Sequence, residues 1–139
     1  MSAPNIDPIY SRAGAIGLGT AITTAANDYT GVSTSNVCVF TADSTNGSFV
    51  QRIRLKPCGT NVASVARIFI NNGSSQTTAA NNTFYGEISL PATTLSASAA
   101  LAEIDYPLNL ALPPGYKIYV GLGTTVAAGW TPTVIAGNY

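Results

Sequence analysis

The sequence predicts an all-β protein: an antiparallel β-sandwich of about eight strands, jelly-roll-like, with an extended N-terminal arm. Three observations lead to this prediction. Apolar and polar residues alternate with a period of two along much of the chain, and no stretch of helix length has a 3.6-residue apolar period. Turn-forming Gly, Pro, Asn and Asp separate the segments at roughly dozen-residue intervals. With 139 residues, the chain is long enough for one domain with its own core.

A single domain is expected over residues 13–139, preceded by an arm of residues 1–12. Pro4 and Pro8 fix φ and remove backbone donors, so the arm is expected to be extended. A disordered tail is the alternative. The apolar side chains of the arm are candidate contacts with a neighbouring subunit: Ile6, Ile9 and Tyr10.

Eight segments have the composition or the alternation of strands. They cover residues 14–24, 37–42, 48–56, 62–71, 83–90, 102–110, 116–122 and 130–136. Between the second and third, Asn46-Gly47 is a strong hairpin signal because both residues tolerate positive φ. In the first segment, Gly14, Gly17 and Gly19 are expected to permit close packing of strands.

Alternation also predicts which side chains share a face. Segment 48–56 is expected to place four residues inward, namely Phe49, Gln51, Ile53 and Leu55, and four outward, namely Val50, Arg52, Arg54 and Lys56. Segment 62–71 is apolar on both faces, which is typical of a central strand. Pro107 falls on the outer face of segment 102–110, which indicates an edge strand or a bulge.

The chain lacks histidine, and only 9% of its residues are charged. Histidine is the side chain that titrates near neutral pH without perturbation, so its absence argues against most acid–base and nucleophilic mechanisms. Glu103 and Asp105 share a strand face, but such exposed acids are usually solvated or paired. We expect no enzyme activity, no cofactor and no metal site.

Cys38 and Cys58 match no zinc-binding spacing. Two reduced, half-buried thiols are expected, with a disulfide between neighbouring strands as the alternative.

Arg52, Arg54 and Lys56 place half of the six positive charges on one strand face. Arginine is enriched at protein interfaces, so these three residues are candidate interface residues. The alternative is a solvated face that is neutralised within the sheet by Glu87, Glu103 or Asp105. The formal net charge of zero argues against a nucleic-acid partner.

No apolar run approaches the roughly 18–20 residues of a membrane-spanning helix, so no membrane partner is expected. The first ten residues lack a charged region followed by an apolar one, which predicts folding in the cytosol.

Three stretches carry a resemblance to a known family. They are residues 112–125 (LPPGYKIYVGLGTT), continuing through Gly129-Trp130 to Gly137-Asn138-Tyr139; residues 52–61 (RIRLKPCGTN); and residues 67–73 (RIFINNG). In this pattern the chain resembles small virion structural proteins of tailed bacteriophages. The resemblance covers most of the chain and transfers no catalytic residue.

The resemblance implies a β-sandwich at the virion surface that folds in the host bacterial cytoplasm. The implied role is a capsid decoration (cement) protein that binds the major capsid protein and itself, with a homotrimer expected. Two alternatives remain. One is a tail, baseplate or fibre component that contacts the host receptor through loops 73–82 and 91–100. The other is a carbohydrate-binding module with an aromatic platform of Tyr85, Tyr119 or Trp130, the one reading in which a glycan is a partner.

Overall fold

The computed structural model describes residues 11–139, which form eight β-strands and one short 3-10 turn. The strands are β1 (Ala13–Leu18), β2 (Val37–Thr41), β3 (Ser48–Pro57), β4 (Ser64–Asn71), β5 (Asn82–Leu90), β6 (Ile104–Leu112), β7 (Lys117–Leu122) and β8 (Trp130–Asn138), and the turn is Ala79–Asn81. The predicted all-β class is confirmed. The arm residues Ile6, Ile9 and Tyr10 lie outside the described part of the chain.

The strands form two antiparallel sheets of four. The front sheet has the order β1-β8-β3-β6, and the back sheet has the order β2-β7-β4-β5. Their facing sides share one apolar cluster, to which Ile53 and Val134 contribute from the front sheet and Ile68 and Val120 from the back sheet. All four side chains are fully buried, so the two sheets form a β-sandwich.

Strand pairing is almost entirely nonlocal. Within residues 11–139, β4 and β5 are the only consecutive strands that pair. The predicted turn at Asn46-Gly47 forms, with Gly47 at φ +78° and its N–H donating to Asp43 O at 3.1 Å. The predicted hairpin is wrong, because this turn carries the chain from β2 in the back sheet to β3 in the front sheet.

A β-bulge corrects the predicted faces of β3. Val50 pairs with Ala136 and Arg52 with Ile135, so Gln51 is an extra residue opposite β8. The bulge shifts the alternation by one residue. Val50 is therefore fully buried, while Gln51, which was expected inside, is exposed.

Two other expectations about strand position are confirmed. β4 lies between β7 and β5, as its two apolar faces predicted. β6 is an edge strand with Pro107 exposed, and it carries an extra residue opposite β3 next to Asn109, whose φ is +48°. The first strand is shorter than predicted. It ends at Leu18, and the chain continues in a long connection over residues 19–36.

Asn61 ties three connections together at one end of the sandwich. Its side chain is buried, and its Oδ1 accepts hydrogen bonds from the N–H groups of Ala128 (3.0 Å) and Gly129 (2.8 Å). Its Nδ2 donates to Gly129 O at 3.1 Å and to Thr93 Oγ1 at 3.3 Å. The turn that contains Gly129 leads directly into Trp130, the largest fully buried side chain.

We expect Asn61→Ala to lower the free energy of unfolding by about 3 kcal/mol, because it leaves one buried and one partly buried N–H group without an acceptor. Chemical denaturation followed by tryptophan fluorescence measures the change. Asn46→Ala, at an exposed turn position, is the matched control and should stay within about 0.5 kcal/mol of the native protein. Equal losses in the two variants would contradict this role of Asn61.

Candidate interaction surface on the front sheet

The outer face of the front sheet carries an apolar half and a charged half. Register places Ile16 beside Ile135, which in turn lies beside Arg52. The next row runs from Leu18 through Thr133 to Arg54 and Asp105. The β1 side of this face exposes 63% of Ile16 and 86% of Leu18. An exposed apolar patch with a polar rim is typical of an interaction surface.

The charged half is held by ion pairs within the sheet. Arg54 donates from Nε to Asp105 Oδ1 at 2.8 Å and from Nη2 to Oδ2 at 3.2 Å. This bidentate hydrogen bonding raises the pKa of Arg54 and lowers the pKa of Asp105. Lys56 Nζ lies 3.7 Å from Glu103 Oε2 and donates to the carbonyl of Leu101. The acids Glu103 and Asp105 are thus engaged by cations.

Among the described residues, Arg52 has no carboxylate partner of its own and shares Asp105 with Arg54. Its Nε lies 3.9 Å from Asp105 Oδ1, which already accepts the shorter hydrogen bond from Arg54. Within residues 11–139, the buried Nε of Arg52 makes no hydrogen bond. The structure therefore brings together the three predicted cations with two of the three predicted acids, and it leaves Arg52 the least neutralised. The third acid, Glu87, pairs instead with Arg67 of the back sheet at 3.7 Å.

The outer face of the back sheet, in contrast, is covered by the connection over residues 19–36. The Tyr29 ring lies over Arg67, with Cζ 4.0 Å from the ring centroid, and Arg67 Nη2 donates to the Tyr29 hydroxyl at 2.9 Å. Phe69 packs against Phe84 with ring centroids 5.3 Å apart, and Tyr29 against Phe84 at 5.7 Å. Arg67 and Phe69 are buried as a result, although they lie on the outer side of their sheet.

Asp28 holds this covering connection in shape. Its carboxylate accepts hydrogen bonds from Thr30 N and Oγ1 (both 2.8 Å), Ser33 N (2.9 Å) and Asn36 Nδ2 (3.1 Å). Burial raises the pKa of Asp28, but these hydrogen bonds outweigh it and lower the pKa from 3.8 to about 2. No signal in the sequence distinguished Asp28 or Tyr29 from ordinary loop residues.

A groove of about 510 Å³ separates the edge strands β1 and β2. It is lined by residues 14–18 of β1 and by Cys38, Val39, Phe40 and Thr41 of β2, together with Asp43 and Asn138. At one end the two strands approach so closely that a side chain at Gly17 would collide with the Val39 carbonyl. Close packing at Gly17 and at Gly19, which lies against Pro132, is confirmed, whereas Gly14 faces open space.

The cysteines are more exposed than expected. Both are free and exposed, Cys38 on β2 of the back sheet and Cys58 just after β3 of the front sheet. They lie in different sheets, so the premise of a disulfide between neighbouring strands is wrong.

The predicted aromatic platform does not form around Trp130, which is fully buried in the core. Tyr119 is half-buried, and only Tyr85 is well exposed, at 41%. In the part of the chain that the structure describes, no group of three or more His, Cys, Asp or Glu could hold a metal ion. Across the same residues, no helix is long and apolar enough to cross a membrane.

Comparisons with protein-family models, with curated proteins and with solved structures found no match to this chain. The geometry of residues 11–139 defines the class of protein as an all-β sandwich. Within these residues, a connection covers the outer face of the back sheet and none covers the outer face of the front sheet.

Asp28→Asn should destabilise the protein at neutral pH by on the order of 2 kcal/mol, the value that corresponds to the lowered pKa. The folded-state pKa lies below the ordinary value of 3.8, so the stabilisation is present above pH 3.8 and disappears as the pH falls towards 2. Denaturation curves from pH 7 to pH 2 measure this, and the variant should approach the native protein at the acid end. Asp105→Asn, at an exposed ion pair, should change stability much less. A loss that does not depend on pH would contradict the assignment.

Proposed function

We propose that this protein is a bacteriophage virion structural protein that decorates the assembled head, and that its sandwich is a jelly roll. The bare outer face of the front sheet carries this proposal. One sheet of the sandwich is covered by its own connection, whereas the other presents exposed Ile16 and Leu18 beside the incompletely neutralised Arg52.

The strand order supports the jelly roll. A jelly roll pairs the first strand with the last, the second with the next to last, and so on inward. The observed pairs follow that scheme: β1 with β8, β2 with β7, β3 with β6 and β4 with β5. With these pairs, nearly every connection between consecutive strands crosses from one sheet to the other. Jelly rolls are common in viral capsid and lectin domains.

The surface chemistry suits a shell component. The formal net charge is zero, and the cations of the front sheet are largely paired with acids of the same sheet. Copies can therefore lie side by side without strong mutual repulsion. Burial of an exposed Ile or Leu against a neighbour contributes about 1.5–3 kcal/mol, and a shell repeats that gain at every copy. The proposed partners are the major capsid protein and further copies of this chain, as a homotrimer at the virion surface.

The alternatives draw less support from the geometry. A receptor-binding tail or fibre component would use loops 73–82 and 91–100. The first loop leads into β5 and the second leaves it, so they lie at opposite ends of that strand. A nine-residue strand separates them by roughly 30 Å, so one copy does not present them as one surface. A glycan-binding platform cannot use Trp130, because this side chain is fully buried in the core.

Cosedimentation with heads assembled without this protein tests the decoration role. The native chain should pellet with the heads, and Arg52→Ala should weaken binding about tenfold, equivalent to about 1.4 kcal/mol. Lys117→Ala, which removes a cation from the back sheet, is the matched control and should bind normally. A chain that stays free of heads but binds host cells or glycans would overturn the proposal in favour of an alternative role.

Removal of the arm, residues 1–12, should also weaken head binding while leaving the fold intact, because the core cluster described within residues 11–139 begins at Ala15. Thermal unfolding monitors the fold, and cosedimentation monitors the binding. Unchanged head binding after the deletion would show that the arm makes no contact with its neighbours.

A further inference from the structure

Arg52 has apolar neighbours on both adjacent strands of the front sheet. Its register partners are Ile135 on β8 and Pro107 on β6. Arg54, in the next row, has Asp105 directly opposite and holds it with two hydrogen bonds. Arg52 reaches the same carboxylate only at 3.9 Å. It therefore lies within an apolar row, and the acid nearest to it is already bound.

The guanidinium group of Arg52 has donors to spare. Within residues 11–139 it makes no hydrogen bond, and its Nε is buried without an acceptor. The two Nη atoms are not buried, and 37% of the side chain is exposed. Together the Nη atoms form a planar fork whose geometry matches the two oxygens of a carboxylate. Arg52 thus offers a carboxylate site to whatever covers this face.

A partner that covers the apolar half of the front face also covers Arg52. Strands within a sheet lie about 4.8 Å apart, so Ile16, two strands away on β1, is only about 10 Å from Arg52. A specific interface covers about 800 Å² on each partner, which is wider than this separation. Docking then removes water from the guanidinium, and a charged donor left without an acceptor opposes binding. A matching partner therefore supplies that acceptor.

The same face of a second copy does not supply it. In a symmetric pair, the same patch lies on both sides of the contact. Along β3 and the start of β6, three cations face two acids, so each patch has one positive charge in excess. Both acids, Glu103 and Asp105, are engaged by cations of their own chain. Two such patches would repel each other and leave Arg52 unpaired.

We propose that the front face docks on a head protein that presents an aspartate or glutamate side chain to Arg52 within an apolar surface. The carboxylate accepts hydrogen bonds from the Nη atoms of Arg52, and the surrounding apolar surface buries Ile16 and Leu18. This inference rests on the proposed function and deepens it by naming the chemistry of the surface that the protein recognises.

Replacement of Arg52 by methionine tests for the carboxylate, because Arg52→Met keeps a long side chain and removes only the charge and the donors. Cosedimentation of the full-length variant with heads should show binding weakened about tenfold, because the partner's carboxylate is buried without a cation. If no carboxylate lies opposite, methionine is easier to desolvate, and binding should be equal or tighter. Equal or tighter binding would overturn the proposal. Lys117→Met, on the back sheet, is the matched control and should bind normally, and thermal unfolding checks that both variants fold.

Cross-linking identifies the occupant. A water-soluble carbodiimide joins amines to carboxylates in contact with them, and arginine does not react. Arg52→Lys keeps the positive charge, although not the planar fork. In complexes of this full-length variant with heads, mass spectrometry should find position 52 joined to an aspartate or glutamate of the head protein. Ser74→Lys places an equal amine on an exposed back-sheet loop and should couple to heads no more than the native chain does. A link from position 52 to a second copy of this chain, or no link above the native level, would contradict the proposal.

The mass in solution tests the second copy independently. Leu18→Lys places a charge in the front face and should leave the mass measured by analytical ultracentrifugation unchanged, while head binding weakens. Leu95→Lys, which changes an exposed leucine on the β5–β6 connection, is the matched control for both measurements. A lower mass for Leu18→Lys alone would show that a second copy occupies the face, against the proposal.

The head-binding results separate this inference from the function on which it rests. If the native chain does not bind heads, the proposed function and this inference both fail. If the native chain binds heads and Arg52→Met binds them equally well, only the docking chemistry is overturned.

Discussion

The architecture depends on one constraint: nearly every connection crosses from one sheet to the other, so the connections cannot satisfy their backbone groups by hairpin pairing. Short polar side chains take over that task. Asn61 binds the turn before Trp130, Asp28 binds the connection over residues 19–36, and Asp43 accepts from the N–H groups of Thr45 and Asn46 at the β2–β3 turn. An unpaired buried backbone group costs about as much as a lost hydrogen bond, so the largest contribution of the three is expected from Asn61, whose hydrogen bond from Gly129 is buried. This explains how a chain with few charges holds long connections in place.

The same long connection makes the two outer faces different. By covering Arg67 and Phe69 it turns the outside of the back sheet into a second, smaller packed layer. Nothing in residues 11–139 does this for the front sheet, where Ile16 and Leu18 remain exposed next to a row of ion pairs. Such a surface gains free energy from burial against a flat partner, while its paired charges set the orientation of contact more than the affinity. The proposed role as a head decoration rests on this combination.

The edge strands of the two sheets also differ from one another. Three edges are protected by bulges, and the fourth is regular and adjoins a groove lined by small residues and an exposed thiol. A regular edge favours backbone pairing, whereas a bare face favours side-chain contact. The two features can therefore serve different kinds of contact.

By itself, the sequence determined the strand class and the positions of most strands, because period-two alternation and turn chemistry are local properties. It left the pairing of Arg54 and Lys56 with Asp105 and Glu103 as one of two alternatives, because that pairing depends on which strands are neighbours. It also identified β6 as irregular from Pro107 and β4 as central from its two apolar faces. The tertiary structure overturned three other predictions. Asn46-Gly47 links two sheets instead of closing a hairpin, Gln51 faces outward, and Trp130 lies in the core instead of on an aromatic platform. It also decided the orientation of β1, where Ile16 and Leu18 face outward and Gly17 faces inward, because a side chain at Gly17 would collide with the Val39 carbonyl. Sheet order, bulges and edge contacts join residues far apart in the chain, and only the folded core decides which of those contacts fit.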